Sequence, residues 1–168
     1  MLPTEIDVSR DDIEKFFFDH LNKIYTAKTL LRSELPELMD NAHFSDLREA
    51  INDTVEDVKE QISRMDEVYR IMAAEISDAD CNGLKGLLEN AFNDIKIHGG
   101  NPELRDLSIL FYLQNIESIQ MASFQILEMV AVKLKNDRIK QLIKENYEQA
   151  RADRTLFLLI SAKYIATV

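Results

Sequence analysis

The chain has 168 residues and a formal net charge of -10 at neutral pH. That length fits one domain around one sizeable core. The acidic balance argues against nucleic acid or an anionic membrane surface as partner, because both need a basic face.

Composition is globular, 46% hydrophobic and 30% charged, with only four Gly and three Pro. Scarce breakers and apolar residues at helical spacing predict an all-α chain. A first helix is predicted over 11–38, with Ser9 as candidate N-cap and Pro36 disturbing the last turn. Its apolar stripe reads Ile13, Phe17, Leu21, Ile24, Leu31, Leu35. A polar turn around Asp40 leads to a second helix over 46–74, with Ser45 as candidate cap and Ile51, Val55, Val58, Ile62, Met65 and Tyr69 on one face. The connection that follows is too long for bare loop and is predicted to carry a short helix over 81–97, stopped by Gly99-Gly100. Asn101-Pro102-Glu103 reads as N-cap, N1 proline and acidic first turn of a helix over 102–134. That helix is apolar nearly all round, as expected of one covered on two sides. A last helix, over 137–166, presents Ile139, Ile143, Tyr147, Ala150, Phe157 and Ser161 on one face. Two hairpins joined by a long crossover are the connectivity of a ferritin-like four-helix bundle, so 1–168 is expected to form a single ferritin-like domain.

No window approaches the roughly 20 unbroken apolar residues of a membrane helix. The first ten residues lack the apolar stretch of a secretion signal. The lone Cys81 leaves no internal disulfide and fits a reducing compartment. A cytoplasmic location is therefore expected.

Glu117 is the polar exception on a face of the fourth helix otherwise built from Leu110, Leu113, Met121 and Phe124. A carboxylate there must be paired, metal-bound or protonated, since an isolated buried charge costs several kcal/mol or more. The sequence around it, Gln114-Asn115-Ile116-Glu117-Ser118-Ile119-Gln120-Met121-Ala122-Ser123-Phe124, resembles the YciE/YciF family of bacterial ferritin-like proteins linked to stress responses. So do the strings Phe16-Phe17-Phe18-Asp19-His20-Leu21 and Ile24-Tyr25-Thr26-Ala27, then Cys81, Gly86-Leu87-Leu88 and Leu104-Arg105-Asp106. The likeness runs from about Asp12 to about Leu158. It implies a rubrerythrin-like bundle, a dimer and a poorly defined biochemical role.

A di-iron site in such a bundle needs about four carboxylates and usually two histidines at one level. The resemblance carries the family's first-helix glutamate onto Lys28, and its second-helix histidine and glutamate onto Thr54 and Asp57. In the fourth helix Glu117 is kept, while neighbouring family positions fall on Ser118 and Gln120. In the last helix an acidic run falls on Glu148, Gln149 and Ala150, and a later aspartate on Arg154. Spacing supports inward placement: Lys28 lies between Ile24 and Leu31, and Arg154 between Ala150 and Phe157. Two cations thus replace metal charge beside Glu117 and Asp57, which keeps the carboxylates paired and repels Fe²⁺.

The other candidates are read as ordinary residues. His20 is a core or boundary histidine, and His43 and His98 are expected at the surface. Cys81 and the methionines fill space. Tyr25 and Tyr147 flank the site and pack. There is no Gly-rich phosphate loop, Cys pair or nucleophile with a plausible triad. The leading expectation is a non-catalytic, cofactor-free, stress-associated homodimer, joined through the outer surface of the fourth helix. The alternative is a di-iron or mononuclear oxidase or peroxide-scavenging protein of the rubrerythrin type, holding iron with Asp57, Glu117, Asp153 or His20. A third reading uses the acidic surface to dock a basic partner.

Overall fold

The computed structural model describes residues 7–166; residues 1–6 and 167–168 of the expected single domain lie outside it. Its elements are α1 (Arg10–Asn41), α2 (Ser45–Ile71), α3 (Asn82–Ile97), α4 (Pro102–Leu134) and α5 (Asp137–Ala166), with no strand among the described residues. This is the all-α bundle expected. α1 packs between α2 and α4, and α5 closes the square against the same two helices. The short α3 lies outside, on α4 and the edge of α1.

Local chemistry sets most of the ends. The Ser9 hydroxyl accepts the Asp12 N–H at 3.1 Å, and Asp11 and Asp12 favour the positive end of α1. Pro36 does not end this helix, which runs on to Asn41. Pro36 and Arg32 are exposed, so the Arg32 carbonyl that loses its partner faces water, while buried Leu35 and Leu38 hold the last turn to the core.

α2 is not capped by Ser45, which is already helical; the N-cap is Phe44, whose side chain cannot accept a hydrogen bond. A carboxylate from another helix instead holds the turn just before it. Asp106 of α4, fully buried, accepts the N–H groups of His43 (2.7 and 3.0 Å) and Phe44 (2.6 Å). The α1–α2 turn is thus tied to the start of α4. The far end of α2 comes three residues before the expected 74, at Ile71. There Ala73 takes a left-handed φ of 49°, its N–H reaches the Arg70 carbonyl at 3.2 Å, and the Ala74 N–H reaches Tyr69 at 2.9 Å. That is a Schellman ending without the usual glycine. Asn101 caps α4 by accepting the Leu104 N–H at 3.0 Å, and the Asn136 side chain accepts from Ile139 at the start of α5.

The core is one continuous cluster in which Phe17, Leu21, Leu31, Leu47, Ile51, Met65, Leu113, Phe124 and Phe157 are sealed. α4 contributes inward residues along its length and still exposes Phe111, Ile119, Ile126 and Met129 on its outer side. No helix among the described residues is long and apolar enough to cross a membrane.

Candidate functional site

Midway along the bundle the apolar core gives way to ionisable side chains from all four long helices. Lys28 of α1 is 0% exposed, Glu117 of α4 is 1% exposed and Asp153 of α5 is 5% exposed; Asp57 of α2 is half-buried beside them. Lys28 is there because it occupies the inward row of α1, with Ile24, Leu31 and Leu35 buried above and below it.

The groups crowd together, and most are not bonded. Lys28 Nζ, Glu117 Oε2 and Asp153 Oδ2 are buried without a hydrogen-bond partner. The Lys28 ammonium lies 5.6 Å from the centre of the Phe124 ring, within cation–π range. The expected direct pair between Lys28 and a carboxylate is therefore not formed, though their charges are felt. Burial lowers the Lys28 pKa, opposed first by Glu117, then by Asp153 and Asp57. Burial raises Glu117, and the Lys28 charge opposes it.

The Asp153 and Asp57 carboxyl groups interact across the α2–α5 seam. Two carboxyl groups can act as hydrogen-bond partners only when one of them is protonated. Asp153 is the one favoured to carry the proton, its pKa being pushed up to about 9 by burial, then by the charges of Glu117 and Asp57 and by its interaction with the Asp57 carboxyl. Asp57 is also raised, mainly by burial, with its interaction with the Asp153 carboxyl pulling the other way. From Asp57 the network reaches the surface: Gln149 Nε2 donates to Asp57 at 3.2 Å and to Glu60 at 2.7 Å, and Arg64 donates to Gln149 at 2.6 Å.

Arg154 does not join this group. It is half-buried at the α4–α5 surface, where its Nε donates to Ser118 Oγ at 2.8 Å in a shallow hollow beside Phe111. Between Ala150 and Phe157 both 153 and 154 satisfy helical spacing. The buried row Asn146, Ala150, Asp153, Phe157, Ile160 settles it for Asp153, and Arg154 lies about 100° round the helix. Thr54 is sealed with its hydroxyl on the Ala50 carbonyl at 2.9 Å. His20 is half-buried outside the cluster, its ring 4.3 Å from that of Phe16. His43 is exposed and His98 is half-buried. Tyr25 donates to Asp66 at 2.8 Å and does not turn toward the centre.

Sequence reasoning missed three buried polar groups. Gln61 is sealed with neither amide atom bonded by another group, Asn146 donates to the Gln61 carbonyl at 3.2 Å, and Asp106 makes the turn clamp described above. Each lies in a row of otherwise apolar inward positions, and that was the available signal.

A family described as a domain of unknown function, DUF892, matches residues 12–164. The chain belongs to this family. Protein YciF of Escherichia coli K12 is 28% identical over 141 residues, covering 83% of this chain and 84% of that protein. The crystal structure of the E. coli stress protein YciF superimposes with a TM-score of 0.87 at 25% identity, over 93% of this chain and 98% of that one. YcfI from Rhodopseudomonas palustris shares the fold, with a TM-score of 0.80 at 23% identity over 94% and 97% of the two chains.

The central residues of this DUF892 member do not fit a di-iron centre. Such a centre asks for deprotonated carboxylates and imidazoles converging from the four helices. Here a lysine side chain occupies one of the four positions, burial and neighbouring charge push the Asp153 carboxyl toward its neutral form, and the expected histidine, His20, lies outside. Among the described residues no group of three or more His, Cys, Asp or Glu is arranged to hold a metal ion.

Proposed function

We propose that the chain is a stress-associated YciF-like protein that works without catalysis, as a cytoplasmic homodimer with a degenerate metal position. The observation that carries this reading is Lys28, wholly buried beside Glu117, Asp153 and Asp57. A tethered cation supplies the positive charge that a metal would otherwise bring, and Coulomb repulsion in a poorly screened interior keeps Fe²⁺ out. The description of the E. coli relative as a stress protein supports the physiological half of the reading. Arg154, spent on Ser118, has no part in it.

The test is anaerobic loading with Fe²⁺ followed by metal analysis, run on the protein and on Lys28→Glu. The protein is expected to retain no stoichiometric iron, and Lys28→Glu is expected to gain divalent-ion affinity. Retention of about two irons per chain, with an oxo-bridged absorption band on air exposure, sinks the proposal and favours the oxidase alternative.

The dimer rests on the outer face of α4, where Phe111, Ile119, Ala122, Ile126 and Met129 form a row from which water has not been excluded. An apolar row of this length on one helix is the usual mark of an interface, and a twofold pairing lets it cover itself. Light scattering at micromolar concentration is expected to give twice the chain mass; a stable monomer refutes it.

A further inference from the structure

On the α1 flank of the apolar α4 row the surface sinks into a hollow of about 380 Å³. Its floor is closed by buried Ile24 of α1 and Leu127 of α4, and the exposed side chains of Phe16 and Ile126 form its walls. Two side chains of α1 bring polarity, and both lack a polar partner. His20, half-buried, sets its ring 4.3 Å from that of Phe16 and makes no side-chain hydrogen bond among the described residues. Lys23, one turn on, stands exposed at the rim, in no ion pair or hydrogen bond among the described residues. The Ser123 hydroxyl is spent on the Ile119 carbonyl at 2.8 Å. No acidic side chain lines the hollow. Hollows elsewhere do carry acids, Asp78 beside Tyr25 and Asp80 at the start of α3. In a chain of net charge -10, an acid-free apolar hollow with an unengaged ammonium stands apart.

We propose that this hollow binds a medium-chain fatty acid, its alkyl chain against Phe16, Ile24, Ile126 and Leu127 and its carboxylate at the Lys23 ammonium beside His20. The volume lies within the range of small-molecule sites, which are mainly apolar with a few polar groups that orient the ligand. Charge selects the head group: the lining carries one ammonium and no carboxylate, so an anion is attracted and a cationic amphiphile meets a like charge. Three of the four apolar contacts are aliphatic, which suits an alkyl chain better than a flat ring. Each methylene fully taken out of water strengthens binding by roughly fourfold. Ala122 and Ile126 also belong to the row of the proposed dimer, so the hollow must stay open on its α1 side when two copies pair. The site is separate from the Lys28 cluster and stands whether or not that cluster takes metal.

The test is an NMR titration of the full chain, labelled at its isoleucine and leucine methyls, with octanoate, hexanoate and octylammonium, each below its aggregation threshold. Saturable shifts are expected at Ile24, Ile126 and Leu127, with hexanoate binding severalfold and octylammonium at least tenfold more weakly than octanoate. Lys23→Glu alters an exposed side chain; it should keep the fold, which circular dichroism checks, and weaken octanoate at least tenfold. Non-saturating shifts scattered along α4, octylammonium binding as tightly as octanoate, or undiminished affinity in Lys23→Glu overturn the proposal. Repeating the octanoate titration at tenfold higher protein concentration should leave its affinity unchanged. An affinity that falls as protein concentration rises means that a second copy fills the hollow, which overturns the fatty-acid site and leaves the α4 dimer standing.

Discussion

Replacing Asp153 with Asn isolates the proton that burial and neighbouring charge favour on Asp153. Asn is close in shape to the protonated acid and keeps a donor toward Asp57, but it has no proton to lose. In the unfolded chain Asp153 titrates near its ordinary 3.8, and in the folded protein at about 9. Between those values the native state holds a proton that the unfolded chain has released. The contribution of Asp153 to stability is therefore largest below pH 3.8 and declines as pH rises, levelling off above about pH 9. One proton sets a limit of about 1.4 kcal/mol per pH unit. Asp153→Asn has no such slope, so its stability relative to the natural protein should rise by about 1 kcal/mol per unit between about pH 5 and pH 8. Lys28 does not cancel this slope. Its lowered pKa adds stability only as pH climbs from its folded value toward 10.5, and both proteins share that response. Urea denaturation followed by far-UV circular dichroism over this range gives the difference directly. A difference independent of pH, or a variant less stable than the natural protein at pH 8, refutes the account of a proton held on Asp153.

Asp106→Ala leaves the His43 and Phe44 N–H groups facing a buried gap, at about 1–3 kcal/mol for each unsatisfied donor; the urea midpoint should fall accordingly, and an unchanged midpoint means water replaces the carboxylate without loss. Ala73→Gly relieves the left-handed φ at the end of α2 and should stabilise by about 0.5–1 kcal/mol, read as a raised Tm. Lys28→Ala removes a sealed aliphatic stem and the amine near Glu117, for an expected loss of about 2–5 kcal/mol, the range of a large-to-small core substitution. Lys28→Met restores the stem and should recover the packing share, so equal losses in the two variants place the whole effect in the charge.

The bundle itself was legible because each long helix buries a row at helical spacing, and the caps at Ser9 and Asn101 are local. What was hidden was non-local. Ser45 had the right chemistry to start α2, but the carboxylate that terminates the α1–α2 turn comes from Asp106, some sixty positions along the chain. Pro36 was expected to disturb the last turn near residue 38, yet the helix runs on to Asn41, because Pro36 lies on the exposed side while Leu35 and Leu38 hold the turn to the core. The end of α2 went wrong for a related reason: Ala73 is not a residue that announces a left-handed turn.

The centre was legible to within one residue, and that residue changes its chemistry. Lys28 and Glu117 were placed by their rows and Asp57 by the family resemblance, and the structure brings the three together. On α5 a single apolar interval, Ala150 to Phe157, allowed either Asp153 or Arg154 inside; only the longer row through Asn146 and Ile160 excludes Arg154. With arginine inside, the centre would hold two cations against two carboxylates and would need no proton. With Asp153 inside it holds one cation against three carboxyl groups, and neutrality then requires protons. Burial and the charges of Glu117 and Asp57 favour Asp153 as the group that holds one of them. A tethered lysine alone does not balance this interior, so its stability must depend on pH in a way that an arginine-containing centre would not.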